Sequence, residues 1–118
     1  MRSIGNEIES LVSVFLEQQG LKLVVANYQC KMGEIDLIMM DHEILVFVEV
    51  RYRKNLDYGD GIATVNKSKQ WRIKRTATYY LQQHNLYDKI MCRFDVVAVS
   101  GRSQKDLNWI KDAFWGKW

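Results

Sequence analysis

The chain has 118 residues, 47% of them hydrophobic and 26% charged, with a net charge of +3. That suffices for one packed core without a metal or disulfide staple, excludes a disordered composition, and is too small a charge to imply a nucleic-acid partner by itself. Cys30 and Cys92, the only cysteines, lack CxxC or CxxH spacing, which argues against a zinc ribbon or a disulfide framework and for two reduced thiols.

No basic segment followed by an apolar run opens the sequence, and no apolar stretch approaches the ~20 residues that span a bilayer. The expectation is a cytoplasmic protein with no membrane segment, a single domain over residues 1–118 with an aromatic tail at 107–118.

Ile4, Ile8, Leu11, Val12, Phe15 and Leu16 recur at helical spacing, which predicts an amphipathic helix over residues 3–19, with Ser3 as its N-cap and Gly20 as its stop. Glu7 falls at the margin of the apolar stripe, where it either favours the positive end of the helix dipole or serves a site. Glu9 and Glu17 project further from the stripe and are expected to be solvated. Leu21 to Cys30 is rich in β-forming residues and reads as a strand.

Residues 33–53, GEIDLIMMDHEILVFVEVRYR, then form two strand-like runs around a polar break at Asp41-His42-Glu43. A hairpin turning at His42-Glu43 pairs residues whose numbers sum to a constant, setting Asp36 opposite Glu49 and Glu34 opposite Arg51. Direct partners on one face lie about 5 Å apart at the β-carbon, so two carboxylates converge with a cation beside them. Like charges that close repel unless one is protonated or a metal ion neutralises the pair. A plain ionic cluster of Asp36, Glu49 and Arg51 is the bland alternative. Gly33, just before the acidic pair, permits a bend or the close approach of a ligand.

Lys54 to Asn66 shows little periodicity and reads as a loop, closing over a substrate or merely connecting. Thr64 or Asn66 then caps a second helix running to about His84, with Ile73, Ala77, Tyr80 and Leu81 inward and Gln70 on that same side, in need of a hydrogen-bond partner. The outer arc carries Lys67, Arg72, Lys74 and Arg75 around Trp71 and Tyr79. With Lys69 and the upstream Arg53, these residues form either a nucleic-acid contact, cations on phosphate and rings on bases, or a solvated helix face. Arg93 to Val99 reads as a fourth strand with Asp95 as a strand-end charge, and the tail, with Trp109, Ile110, Phe114, Trp115 and Trp118, as a final strand or short helix.

Glu7 on the first helix, Asp36 in GEIDLI and Glu49-Val50-Arg51 in FVEVR resemble the PD-(D/E)XK nuclease signature, and the whole spacing resembles the YraN-like family, itself similar to archaeal Holliday-junction resolvases. The resemblance implies an α/β fold with a restriction-endonuclease-like αβββαβ core, a mixed four- to five-stranded sheet flanked by helices. It implies a metal-dependent endonuclease acting on DNA phosphodiesters, branched DNA included, with Mg²⁺ or Mn²⁺ held by Asp36, Glu49 and the Val50 carbonyl. Glu7 and Gln70 would support that site, and Arg51 would stabilise charge. A homodimer is a natural arrangement for cutting two strands. Arg51 departs from the signature lysine: it stays charged and cannot act as a base. The second expectation is therefore a nucleic-acid-binding or adaptor module that keeps the fold without cleaving.

Overall fold

The central strand of the sheet is apolar on both sides because a helix covers each face of it. In the computed structural model, which describes residues 4–52 and 65–114, the elements are α1 (Ile4–Gln18), β1 (Lys22–Cys30), β2 (Gly33–Asp41), β3 (Ile44–Tyr52), α2 (Lys67–Gln83), β4 (Met91–Val99), a 3-10 turn (Gln104–Asp106) and β5 (Leu107–Ile110). Arg53, most of the 54–66 loop, Ser3, Trp115 and Trp118 lie outside the described residues. The sheet runs in the order β1-β2-β3-β4-β5, with β3 and β4 parallel and the other neighbours antiparallel. This is the expected mixed α/β sheet in αβββαβ order, five strands wide, and compatible with a restriction-endonuclease-like core. The tail contributes β5. Among the described residues no helix is long and apolar enough to cross a membrane.

Strand alternation divides the core in two. Leu45 and Phe47 of β3 face α2, joining Ile73, Ala77, Tyr80 and Leu81, while Val46 and Val48 face α1, joining Ile8, Val12 and Leu16. A strand buried on both faces needs no polar alternation, which is why residues 44–48 read as a continuous apolar run.

The β2–β3 hairpin has the expected register, running from Asp41↔Ile44 to Leu37↔Val48. His42 turns the chain in the left-handed region at φ 57°, a conformation uncommon for a residue with a β-carbon. The ladder stops at Leu37↔Val48, so the expected Glu34–Arg51 pair is not made. Glu34 instead accepts a hydrogen bond from Gln29 Nε2 at 3.2 Å, and Arg51 lies opposite Ala98 of β4.

At the point where the two strands part, β2 changes phase. Leu37 and Met39 join the α1-side core, whereas Ile35 and Ile38, which strict alternation would set on opposite faces, both join the α2 side. The facing residue of β1, Asn27, is left-handed at φ 56°, and the paired register passes from Ala26↔Leu37 to Tyr28↔Ile35. The irregularity falls on Asp36. Just before it, Gly33 has φ 148°, and a β-carbon there would come within 3.0 Å of Thr76 Oγ1. At this glycine it is helix α2, through Thr76, that approaches the backbone closely.

Candidate functional site

Three carboxylates meet at the fork between β2 and β3. Asp36 takes up the backbone group that the broken ladder leaves over: its Oδ2 accepts the Val50 N–H at 2.8 Å. Its carboxyl also lies within hydrogen-bonding reach of Glu49 and of Glu9. A strand residue directs its N–H and C=O to the same neighbour, so the Val50 carbonyl is turned toward this fork as well.

Burial raises the proton affinity of the whole group. It pushes Asp36 up to about 6, against the pull of the Val50 N–H, with the Glu9 charge adding to the rise. Burial and then the Asp36 charge push Glu49 up to about 7, although Lys69 acts in the opposite direction. Glu9 is raised by burial and by the Glu34 and Glu49 charges, against hydrogen bonds from Asp36 and Asn27. Glu9 Oε1 is buried with no hydrogen-bond partner among the described residues, which costs free energy unless a donor or cation supplies one. Glu9 also lines a cleft of about 360 Å³ between α1 and β1.

The helix carboxylate in the cluster is Glu9, which was expected to be solvated. Glu7 is exposed and faces elsewhere, pairing with Arg102 at 3.3 Å. Glu7 and Glu9 flank Ile8 symmetrically, about 100° to either side on the helix. The flank of Glu7 turns toward β5, where Phe15 meets Trp109 edge-on at 6.2 Å and Gln104 Nε2 donates to Gln18 at 2.6 Å. The flank of Glu9 turns toward β1 and β2. The stripe alone held no signal to separate them.

The cation touching Glu49 comes from α2: Lys69 Nζ lies 2.6 Å from Glu49 Oε2. Arg51 forms no ion pair among the described residues. Gln70 finds its partner away from the carboxylates, donating through Nε2 to the Val65 carbonyl at 2.7 Å and fixing the entry to α2. The helix is capped by Asn66, whose side chain accepts the Lys69 N–H at 2.8 Å.

On the outer face of α2, Trp71 is 58% exposed and the Arg75 guanidinium packs over its ring at 4.8 Å. Arg72 donates to Ser68 Oγ at 3.1 Å, Lys74 Nζ lies 5.7 Å from the Phe114 ring centroid, and Lys67 is exposed. The helix carries five cations and no acid. Asp95 is no strand-end charge: it is fully buried in β4 and accepts from Arg93, Trp109 and the Asp112 N–H.

Comparison with known proteins places the chain. The profile of the "Uncharacterised protein family UPF0102" matches residues 8–99. A UPF0102 protein of Coxiella burnetii (strain RSA 331) is 46% identical over 95% of this chain and 92% of its own length. One from Psychromonas ingrahamii is 51% identical over 85% of this chain and 80% of its own. One from Legionella pneumophila (strain Philadelphia 1) is 42% identical over 93% and 92%. Matches of that extent cover the carboxylate fork and both helices, and the chain belongs to the UPF0102 family.

Proposed function

We propose that this protein is a divalent-cation-dependent endonuclease of the PD-(D/E)XK type acting on DNA, similar in its chemistry to the archaeal Holliday-junction resolvases. The observation that carries this reading is the convergence of Asp36 and Glu49 at the strand fork, both with raised proton affinity, beside a buried and unpartnered Glu9 oxygen. A site that holds acidic groups together against repulsion and desolvation is arranged for a cation.

The donor set fits a hard ion. Among the described residues no group of three or more acidic, histidine or cysteine side chains is placed to hold a metal ion, but Mg²⁺ commonly takes one or two carboxylates and completes its shell with water and substrate phosphate. Asp36, Glu49 and the Val50 carbonyl would hold Mg²⁺ or Mn²⁺, with Glu9, rather than Glu7, in support. When bound, such an ion supplies Lewis acidity at the phosphodiester and makes water more acidic. Around it, the Val50 N–H orients Asp36, Lys69 orients Glu49, and Arg51, one residue beyond Val50, is available to a phosphate oxygen.

DNA would lie along α2. Lys67, Arg72, Lys74 and Arg75 would meet phosphates, with Arg53 upstream, and the exposed Trp71 ring would stack on a base. The test is incubation with duplex, single-stranded and four-way-junction DNA in Mg²⁺ or Mn²⁺. Cleavage is expected for the wild type and a loss of at least 10²-fold for Asp36→Ala and Glu49→Ala; cleavage that survives both substitutions sinks the assignment.

Arg51 at the position of the signature lysine favours a second reading, a nucleic-acid-binding module that does not cleave. It predicts salt-sensitive DNA binding that persists in EDTA, with no heat on Mn²⁺ titration.

A further inference from the structure

We infer that Lys69 is the positioning cation of this site: from the first turn of α2 it fixes the carboxylate of Glu49. The inference rests on the nuclease reading and adds to it a residue from a different element.

The geometry separates Lys69 from the other cations of α2. Arg72 is engaged with Ser68, Arg75 lies over Trp71, Lys74 lies near Phe114, and Lys67 is exposed. Lys69 reaches inward to a buried acid of the fork, at 2.6 Å from Glu49 Oε2. Its partner is 6% exposed while its own side chain is 41% exposed, so the pair spans the boundary between core and solvent. An ion pair with one member in the interior is geometrically restrictive, because the buried carboxylate has few other donors to turn to.

The placement also runs against local preference. A lysine in the first turn of a helix faces the positive end of the dipole, and this first turn has no acidic residue to offset it. A residue that breaks a local rule and still meets a buried carboxylate points to the site as the reason for its position. The position is held firmly: the Lys69 N–H is bound by the Asn66 cap at 2.8 Å, and the next residue, Gln70, ties the helix to Val65 at 2.7 Å. Arg51, the cation that the strand itself offers, forms no ion pair among the described residues.

An ammonium has three donors, so holding Glu49 uses one and leaves the carboxylate's orientation set from outside. A residue acting in this way moves turnover, since the carboxylate must stay in place as charge develops. A residue that only grips DNA moves KM or the dissociation constant.

The experiment measures kcat and KM on the best DNA substrate for the wild type, Lys69→Met, Lys69→Arg, Glu49→Gln and the double variant Lys69→Met with Glu49→Gln, with circular dichroism and Tm recorded for each. Lys69→Met is expected to lose 10–100-fold in kcat with KM within threefold of wild type. Lys69→Arg should restore most of that loss, and the double variant should be no worse than Glu49→Gln alone. If Lys69→Met fails to fold, Lys69→Gln carries the same measurement. Wild-type-like kcat in the folded variant, or a loss lying wholly in KM, overturns the inference and leaves the nuclease reading standing. A wild type that cuts no DNA overturns both.

Discussion

The same sheet buries carboxylates in two places, and their surroundings are opposite. Asp95 in β4 is fully buried, and donors among the described residues satisfy both of its oxygens: Oδ1 accepts from Arg93 Nε and the Asp112 N–H, both at 2.9 Å, and Oδ2 from Arg93 at 3.1 Å and Trp109 Nε1 at 2.9 Å. Arg93 continues to Asp41 at 3.0 Å, and Asp41, beside His42 and Arg93, is held below the usual carboxylate range. At the β2–β3 fork, by contrast, Asp36, Glu49 and Glu9 face one another, with one backbone N–H, the Asn27 amide and one lysine among them, and all three are raised. Burial alone does not mark a functional acid. What separates the two groups is whether the protein supplies the donors itself, and at the fork an oxygen is left without one.

The sharpest way to break this comparison is to neutralise one acid in each group. Asp95→Asn leaves Arg93 paired with Asp41 alone and disturbs four hydrogen bonds around a buried side chain, a change expected to cost about 2–4 kcal/mol and roughly 10–15 °C in Tm. Asp36→Asn removes repulsion, so its Tm at pH 8 should equal or exceed that of the wild type while DNA cleavage collapses. Thermal melts of the two variants read this directly, and equal destabilisation would erase the distinction.

A smaller effect lies in the pH dependence of stability without divalent ions. The folded-state values of Asp36 and Glu49, about 6 and about 7, lie above the unfolded values near 4, so the native state binds more protons across that interval. Stability contributed by the protonated forms is present below pH 4 and is lost as pH rises toward 7. Between pH 5 and pH 8, Tm should therefore fall, by roughly 5–10 °C. Glu49→Gln should flatten the slope, and Mn²⁺ at pH 8 should recover part of the loss. A Tm that rises over this range in wild type would contradict the assignment of raised acids to the fork.

The finest test lies on α1. Glu9→Gln is expected to slow cleavage about tenfold, and Glu7→Gln, which touches only an exposed ion pair with Arg102, to alter stability by less than about 0.5 kcal/mol. Reversed effects on cleavage would return the role to Glu7.

Much of the scaffold was legible in the chain because it depends on local periodicity. The inner arc of α2, with Ile73, Ala77, Tyr80 and Leu81, follows from helical spacing, and the hairpin register from the two polar residues at its turn. The meeting of Asp36 with Glu49 follows from the same arithmetic, although the contact is made where the ladder has already ended. Glu34 and Arg51 obey that arithmetic on paper but not in space, because the strands part after Leu37↔Val48.

What the sequence by itself determined is the alternation of strands and helices and the pair of acids on adjacent strands, since both are set by spacings of a few residues. Only the tertiary structure decided which helix residues reach those acids. The choice of Glu9 over Glu7 depends on how α1 is turned over the sheet, with Phe15 against Trp109 on one flank and the cleft beside Asn27 on the other. The choice of Lys69 depends on where α2 crosses the fork, a distance of 20 residues from Glu49 along the chain that no periodicity spans.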